Sequence, residues 1–189
     1  MKSQSISQIK RQLKHTRTIQ VQAYERDDGL WDLDANISDV KTRSLQLASG
    51  LRPAGHAIHD MSLRLTIDVA MNVVAVQAIS SQVPYPGFCE TITPAYQKLV
   101  GLNLFRQFRQ QVRALYSGVD GCTHITELAQ ILPTAALQAF AGEVYATGDV
   151  SGDASAEQPF QLDRCHALRL DGPAVLRYYP RWAGSGTGK

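Results

Sequence analysis

Four short polar clusters hold all three cysteines of the chain and four of its five histidines. They read His56-Ala57-Ile58-His59-Asp60, Pro86-Gly87-Phe88-Cys89-Glu90, Gly121-Cys122-Thr123-His124-Ile125-Thr126-Glu127, and Cys165-His166. Thiolate, imidazole and carboxylate are the side chains that zinc takes in tetrahedral sites. One ligand each from His59, Cys89 and Cys122 makes three, with His124, Asp60 or a water as the fourth. No CxxC spacing is present, so this reading rests on the composition of the clusters. Iron suits the same set. A metal with an open position would activate a water and act as a hydrolase or lyase on a small molecule. Glu127 or His124 would then be the acid–base group, with Glu90 in reserve. In this form the reading requires His59, Cys89 and Cys122 to converge.

Two other chemistries stay open. Cys122 stands at a predicted helix start, where the dipole and unpaired N–H groups favour a thiolate. His124 and Glu127, three residues apart, project from one helix face. Cys122 or Cys89 as nucleophile, with His124 or His59 as base, would give metal-free acyl transfer. The third possibility is a carrier of metal or of an iron–sulfur cluster, or an accessory protein. Each residue also has a plain structural use. Cys89 and Cys122 suit a buried thiol, His59 a satisfied core histidine, and Asp60 and Glu127 a solvated charge. Cys165 and His166 have opposite strand parity and share a site only across a bulge.

The elements that must position these groups follow from periodicity. Trp31, Leu33, Ala35 and Ile37 alternate with Asp32, Asp34, Asn36 and Ser38 after the turn signal Asp27-Asp28-Gly29. This predicts a hairpin with one wet face, its first strand within residues 18–25. Met61, Leu63, Leu65 and Ile67 share one strand face with His59, while Asp60 falls on the polar face. The run 73–79 predicts the next strand. Pro84-Tyr85-Pro86-Gly87 bends the chain and delivers Cys89. Residues 93–116 read as helical with a break at Gly101. A longer helix is expected from Cys122 to about Tyr145, with a kink at Pro133 and a stripe of Ile125, Leu128, Ala129, Leu132 and Ala136. Residues 148–158 read as a loop, and 160–170 with 174–179 as a final hairpin around Asp171-Gly172.

Strands first and helices after them predict an α+β fold, an antiparallel sheet with helices on one face. A basic tail is expected over 1–16, a single domain over 17–182, and a polar tail over 183–189. Lys2, Lys10, Arg11, Lys14, His15 and Arg17 read as a solvated tail or as an arm docking RNA or a partner. With 44% hydrophobic residues a core is attainable. A formal charge of +2 speaks against general nucleic-acid binding. An odd cysteine count speaks against a disulfide framework. No signal-peptide core and no run of about 18 apolar residues is present, so no membrane partner is expected, and a cytoplasmic location is. No GxGxxG or GxxxxGK[ST] occurs. Trp31, Tyr85 and Tyr96 could line a pocket, with core packing as their other use.

The runs RDDGLWD, HDMSLRLTID, a PY…C segment, AYQKLVGL, GCTHITEL and RCHAL…YYP together resemble an uncharacterised bacterial family. It is the domain-of-unknown-function family numbered twenty-eight eighty-nine, and the resemblance spans about residues 16–182. It implies membership and no established activity. Over residues 55–145 the chain is also similar, more weakly, to the NifU-like iron–sulfur scaffolds. His59-Asp60-Met61 stands where that family has Cys-Gly-Asp, Cys89 at its second cysteine, and Cys122 at its third. With Phe88-Cys89 in place of Gly-Cys and a histidine for the first cysteine, this similarity implies two thiolates and an imidazole. Such a set suits a single metal ion rather than a cluster. It also implies a NifU-like core with added terminal hairpins.

Overall fold

The computed structural model of the chain describes residues 9–147 and 158–184. Two-residue alternation builds most of the first compact unit, which ends at Ala136. Strands β1 (His15–Glu25), β2 (Trp31–Lys41), β5 (Ala57–Ile67) and β6 (Val73–Gln82) form an antiparallel sheet in the order β1-β2-β5-β6. Two short strands, β3 (Leu45–Leu47) and β4 (Gly50–Arg52), pair with each other in the β2–β5 connection. On one sheet face Leu33, Ile37, Leu63, Leu65 and Ile67 have no solvent exposure. Each such side chain contributes about 1.5–3 kcal/mol on burial. The opposite face carries Asp34, Asn36, Ser62 and Arg64 and is polar, as period-two alternation requires.

The β2–β5 register shifts once. Asp39 opposes His59 while Val40 opposes Ala57, so Ile58 is an extra residue in β5. Such a bulge re-aims the side chains beside it. Here it buries Ile58 and keeps His59 on the core-facing side opposite Asp39.

The helical segments follow the strands: a 3₁₀ helix over Cys89–Leu99, α1 (Phe108–Tyr116) and α2 (Thr123–Phe140). This is the α+β arrangement expected. The predicted helix over 93–116 is divided differently. It is 3₁₀ through Pro94 to Leu99, and Gly101 then turns with φ 87° before α1 begins. Helix α2 runs through Pro133 and stops at Phe140, short of the expected Tyr145. Pro133 lacks one N–H, but buried Leu132 and Ala136 flank it, and their packing keeps the turn helical. Beyond Phe140 the N–H groups of Val144 and Tyr145 both donate to its carbonyl, closing the helix end.

The second unit, from Leu137, contains α3 (Pro173–Tyr178). The expected final hairpin is absent from its described residues. Residues 160–170 form turns, and the stretch 174–179 is largely helical. Asp171-Gly172 reads as a hairpin turn, but the next residue is Pro173. Its locked φ suits the first position of a helix, and extended Gly172 is the cap. Of the loop expected over 148–158, residues 148–157 lie outside the described residues, as do 1–8 and 185–189. No helix among the described residues is long and apolar enough to cross a membrane.

Gly121, just before α2, is packed against the preceding helix. A Cβ there would lie 2.5 Å from Tyr116 Cβ and 2.7 Å from its carbonyl oxygen. Backbone cannot yield as a flexible side-chain tip does. Gly121→Ala is therefore expected to lower stability by about 1–3 kcal/mol, read as a shifted urea midpoint.

Candidate functional site

Asp39 continues the core-facing parity of Trp31, Leu33, Ala35 and Ile37, and it is 3% exposed. A buried carboxylate must be paired or it is very costly. The sheet pairs it on both sides. Arg17 of β1 and His59 of β5 are its direct cross-strand neighbours. Arg17 donates through Nε to Oδ1 and through Nη2 to Oδ2, both at 2.9 Å, a forked contact that fixes the carboxylate plane. His15 Nε2 lies 2.8 Å from Oδ1, and His59 Nδ1 lies 3.0 Å from Oδ2.

The fourth partner comes from α2. His124 Nε2 is 3.3 Å from Asp39 Oδ2, and its ring lies on that of His59 with centroids 3.9 Å apart. His124 Nδ1, the other ring nitrogen, is 3.9 Å from Cys122 Sγ and 3.4 Å from Thr123 Oγ1. Glu127 accepts a 2.8 Å bond from Arg17 Nη1, so Arg17 bridges two carboxylates.

The start of α2 is anchored by Tyr96, which has no solvent exposure. Its hydroxyl accepts the Cys122 N–H and donates to the Cys122 carbonyl, each at 3.0 Å, and lies 2.7 Å from Thr126 Oγ1. The Tyr96 ring stacks on Tyr116 at 4.4 Å. Burial pushes the Tyr96 phenol up, and pushes that of Tyr116 up to about 12. Both hydroxyls therefore stay protonated as donors.

The surroundings push both central groups toward their deprotonated forms, for different reasons. Hydrogen bonds from Arg17, and then from His15, hold the Asp39 carboxyl well below the usual carboxylate range, against the opposing effect of burial. His124 is pushed below the ordinary histidine value, first by burial and then by the neighbouring charges of His59 and Arg17. Asp39 is therefore an anion and His124 a neutral imidazole near pH 7.

Asp39, His59 and His124 each offer one donor atom, all within 4.8 Å of one another. No other group of three such residues occurs among those described. Of the residues expected to ligate, His59 and His124 are therefore brought together. Cys122 sits beside His124 but outside that group, with its Sγ 3.7 Å from Met61 Sδ. Asp60 turns to the polar sheet face, where Asn36 Nδ2 donates to it at 2.9 Å. Cys89 begins the 3₁₀ helix, bonds through its N–H to the Tyr85 carbonyl and is not a member of this group. Glu90 accepts the Gly87 N–H and steadies that loop. Cys165 and His166 are exposed in the second unit.

Asp39, His15 and Arg17 were not anticipated as site residues. The signal for Asp39 lay in its parity, a charge at the fifth core-facing position of an otherwise apolar strand. His15 and Arg17 merge with the basic N-terminal run, and β1 begins at His15.

Fold and site together define an α+β protein with a buried carboxylate ringed by three imidazoles and a guanidinium. A family model described as a protein of unknown function (DUF2889) matches residues 15–138, and the chain belongs to that family. The match spans every residue of the site, from His15 to Glu127. No curated protein and no solved structure matches the chain, and the similarity to NifU-like scaffolds finds no support there.

Asp39→Asn should cost about 3–5 kcal/mol, because Arg17 and the imidazoles lose their anion. The unfolded chain protonates Asp39 near the ordinary value of about 3.9, and the folded chain only at lower pH. Its contribution is thus complete above that value and is lost as the pH falls further. Urea unfolding between about pH 5 and 2 should show a stability decline that is shallower in Asp39→Asn. An unchanged decline would remove Asp39 from the centre of the site.

Proposed function

We propose that the chain binds a divalent metal ion, zinc or iron, through Asp39, His59 and His124, and acts as a hydrolase or lyase on a small molecule. One observation carries this reading: three donor atoms from β2, β5 and α2 lie within 4.8 Å of one another. Two imidazoles and a carboxylate are a donor set used by catalytic zinc and by iron(II) sites with open positions. The protonation states fit as well. A metal needs an ionised carboxylate and a neutral imidazole, and the surroundings hold Asp39 and His124 in those forms. The ion would supply Lewis acidity toward an oxygen of the substrate or of water. Arg17 keeps Asp39 ionised and stays anchored to Glu127 if it yields a carboxylate oxygen. Glu127, whose side chain is 40% exposed, would accept or return the proton.

Titration of metal-stripped protein with zinc or cobalt(II) should give one ion per chain. His59→Ala, His124→Ala and Asp39→Asn should each weaken binding by at least about tenfold. Cys89→Ser should bind as the native chain does. Loss of binding in Cys89→Ser with none in His124→Ala would refute this ligand set, and no binding at all would refute the reading.

A second reading has its own observation. Cys122, His124 and Asp39 form a line, with the thiol at one ring nitrogen and the carboxylate at the other. Nucleophile, base and orienting anion in that order are the parts of a metal-free thiol enzyme. Cys122 also stands at the start of an 18-residue helix. Iodoacetamide at neutral pH should then alkylate Cys122 faster than exposed Cys165, and His124→Ala should slow Cys122 alone. Equal, slow reaction at both thiols would exclude this reading, as would rates that respond to a chelator.

A further inference from the structure

Strand β1 is the edge of the sheet, and among the described residues no strand lies on its outer side. Native proteins protect such edges with bulges, prolines, lysines or short length. In β1 the ionisable side chains sit near its ends, at His15, Arg17 and Glu25, and its middle carries none of these devices. It pairs with β2 over eleven consecutive positions without a shift, and residues 18–24, Thr-Ile-Gln-Val-Gln-Ala-Tyr, contain neither charge nor proline. Its core-facing side is also poorly covered. Ile19 is 38% exposed, whereas its β2 neighbour Ile37 is fully buried. Tyr24, on the other face, is 47% exposed.

We propose that two copies of the chain join edge to edge through β1, antiparallel about a two-fold axis at Gln20. This occupant is favoured because the strand is complementary to itself. With Gln20 opposite its own copy, Ile19 meets the partner's Val21, Thr18 the partner's Gln22, and His15 the partner's Glu25. Every opposed pair then falls on the same sheet face, as antiparallel pairing requires. Ile19 and Val21 thus meet at the centre, Arg17 faces the partner's Ala23, and the strand's one carboxylate meets an imidazole. Eleven paired residues supply about ten to twelve main-chain hydrogen bonds, a number typical of a whole stable interface.

The pairing reaches the candidate site. His15 uses Nε2 on Asp39, and its Nδ1 has no partner among the described residues. The partner's Glu25 would stand beside that ring, so each site would gain a carboxylate from the other copy. The inference does not depend on a bound metal.

Sedimentation equilibrium of the full chain should show a dimer at micromolar concentration. Gln20→Lys places like charges opposite each other at the axis. It should raise the dimer dissociation constant at least about tenfold, with an unchanged circular dichroism spectrum. Directly opposed Cβ atoms lie about 4.5–5.5 Å apart, close enough for a disulfide after small adjustment. Mild oxidation should therefore cross-link Gln20→Cys into a covalent dimer, beyond any background of the native chain, and leave Thr18→Cys uncrosslinked. A chain monomeric at 100 μM (about the upper range of such measurements) would overturn the proposal. So would a dimer indifferent to Gln20→Lys in which Gln20→Cys fails to cross-link.

Discussion

A single buried carboxylate organises one end of this sheet. Asp39 occupies a position where the alternation of β2 would otherwise place an apolar side chain. An ionised carboxylate there is tolerated only with donors on every side. Those donors come from three different elements: His15 and Arg17 from β1, His59 from β5 and His124 from α2. The requirement to satisfy one anion therefore fixes the strand ends and the helix start in mutual register. The apolar remainder of the face, from Trp31 to Ile37 and from Met61 to Ile67, needs no such specificity and is filled by volume alone.

The approach of α2 depends on a second set of contacts that lies off the sheet. Tyr96 secures both backbone groups of Cys122, and Gly121 lets the chain pass against Tyr116. His124 follows two residues later, so this backbone anchoring carries its ring to Asp39 and His59, whose contacts then orient it. Arg17 has the converse role. Its forked grip on Asp39 and its bond to Glu127 share one cation between two carboxylates. The same grip stabilises the fold and competes with any ligand for the Asp39 oxygens. Under the proposed metal reading, stability and ligand binding would draw on this one group, the balance expected where a site is built from a fold's own buried charge.

Much of the fold was legible because strands with one wet face carry a strong period-two signal. The placement of β2 and β5 follows from it, that of β6 from an apolar run, and the apolar stripe of α2 from the separate 3.6-residue period. The C-terminal region was misread where an Asp-Gly pair suggested a hairpin, since the helix-starting effect of Pro173 is local and easily outweighed by a turn pattern. Part of the site was legible too, because His59 and His124 stand out as imidazoles in polar clusters. Asp39 was not, since an aspartate among Asp32, Asp34 and Ser38 is conspicuous only when strand parity is followed to the strand's last turn inward. His15 and Arg17 were hidden for a different reason. A basic run at a chain end has the same composition whether it is solvated or bound, and only a buried anion partner distinguishes the two.

The two chemistries proposed for the site share one geometric relay. His124 presents Nε2 to Asp39 and Nδ1 to Cys122 and Thr123, and an imidazole can carry a proton on either nitrogen. If a metal takes Nε2, the thiol and hydroxyl at Nδ1 become the outer partners that orient the ring, as ligating histidines require. If no metal is bound, Asp39 is that orienting partner and the thiol is the reactive end. The fold thus builds one aligned imidazole between an anion and a sulfur, and what separates the two proposals is whether the anion shares its place with a cation.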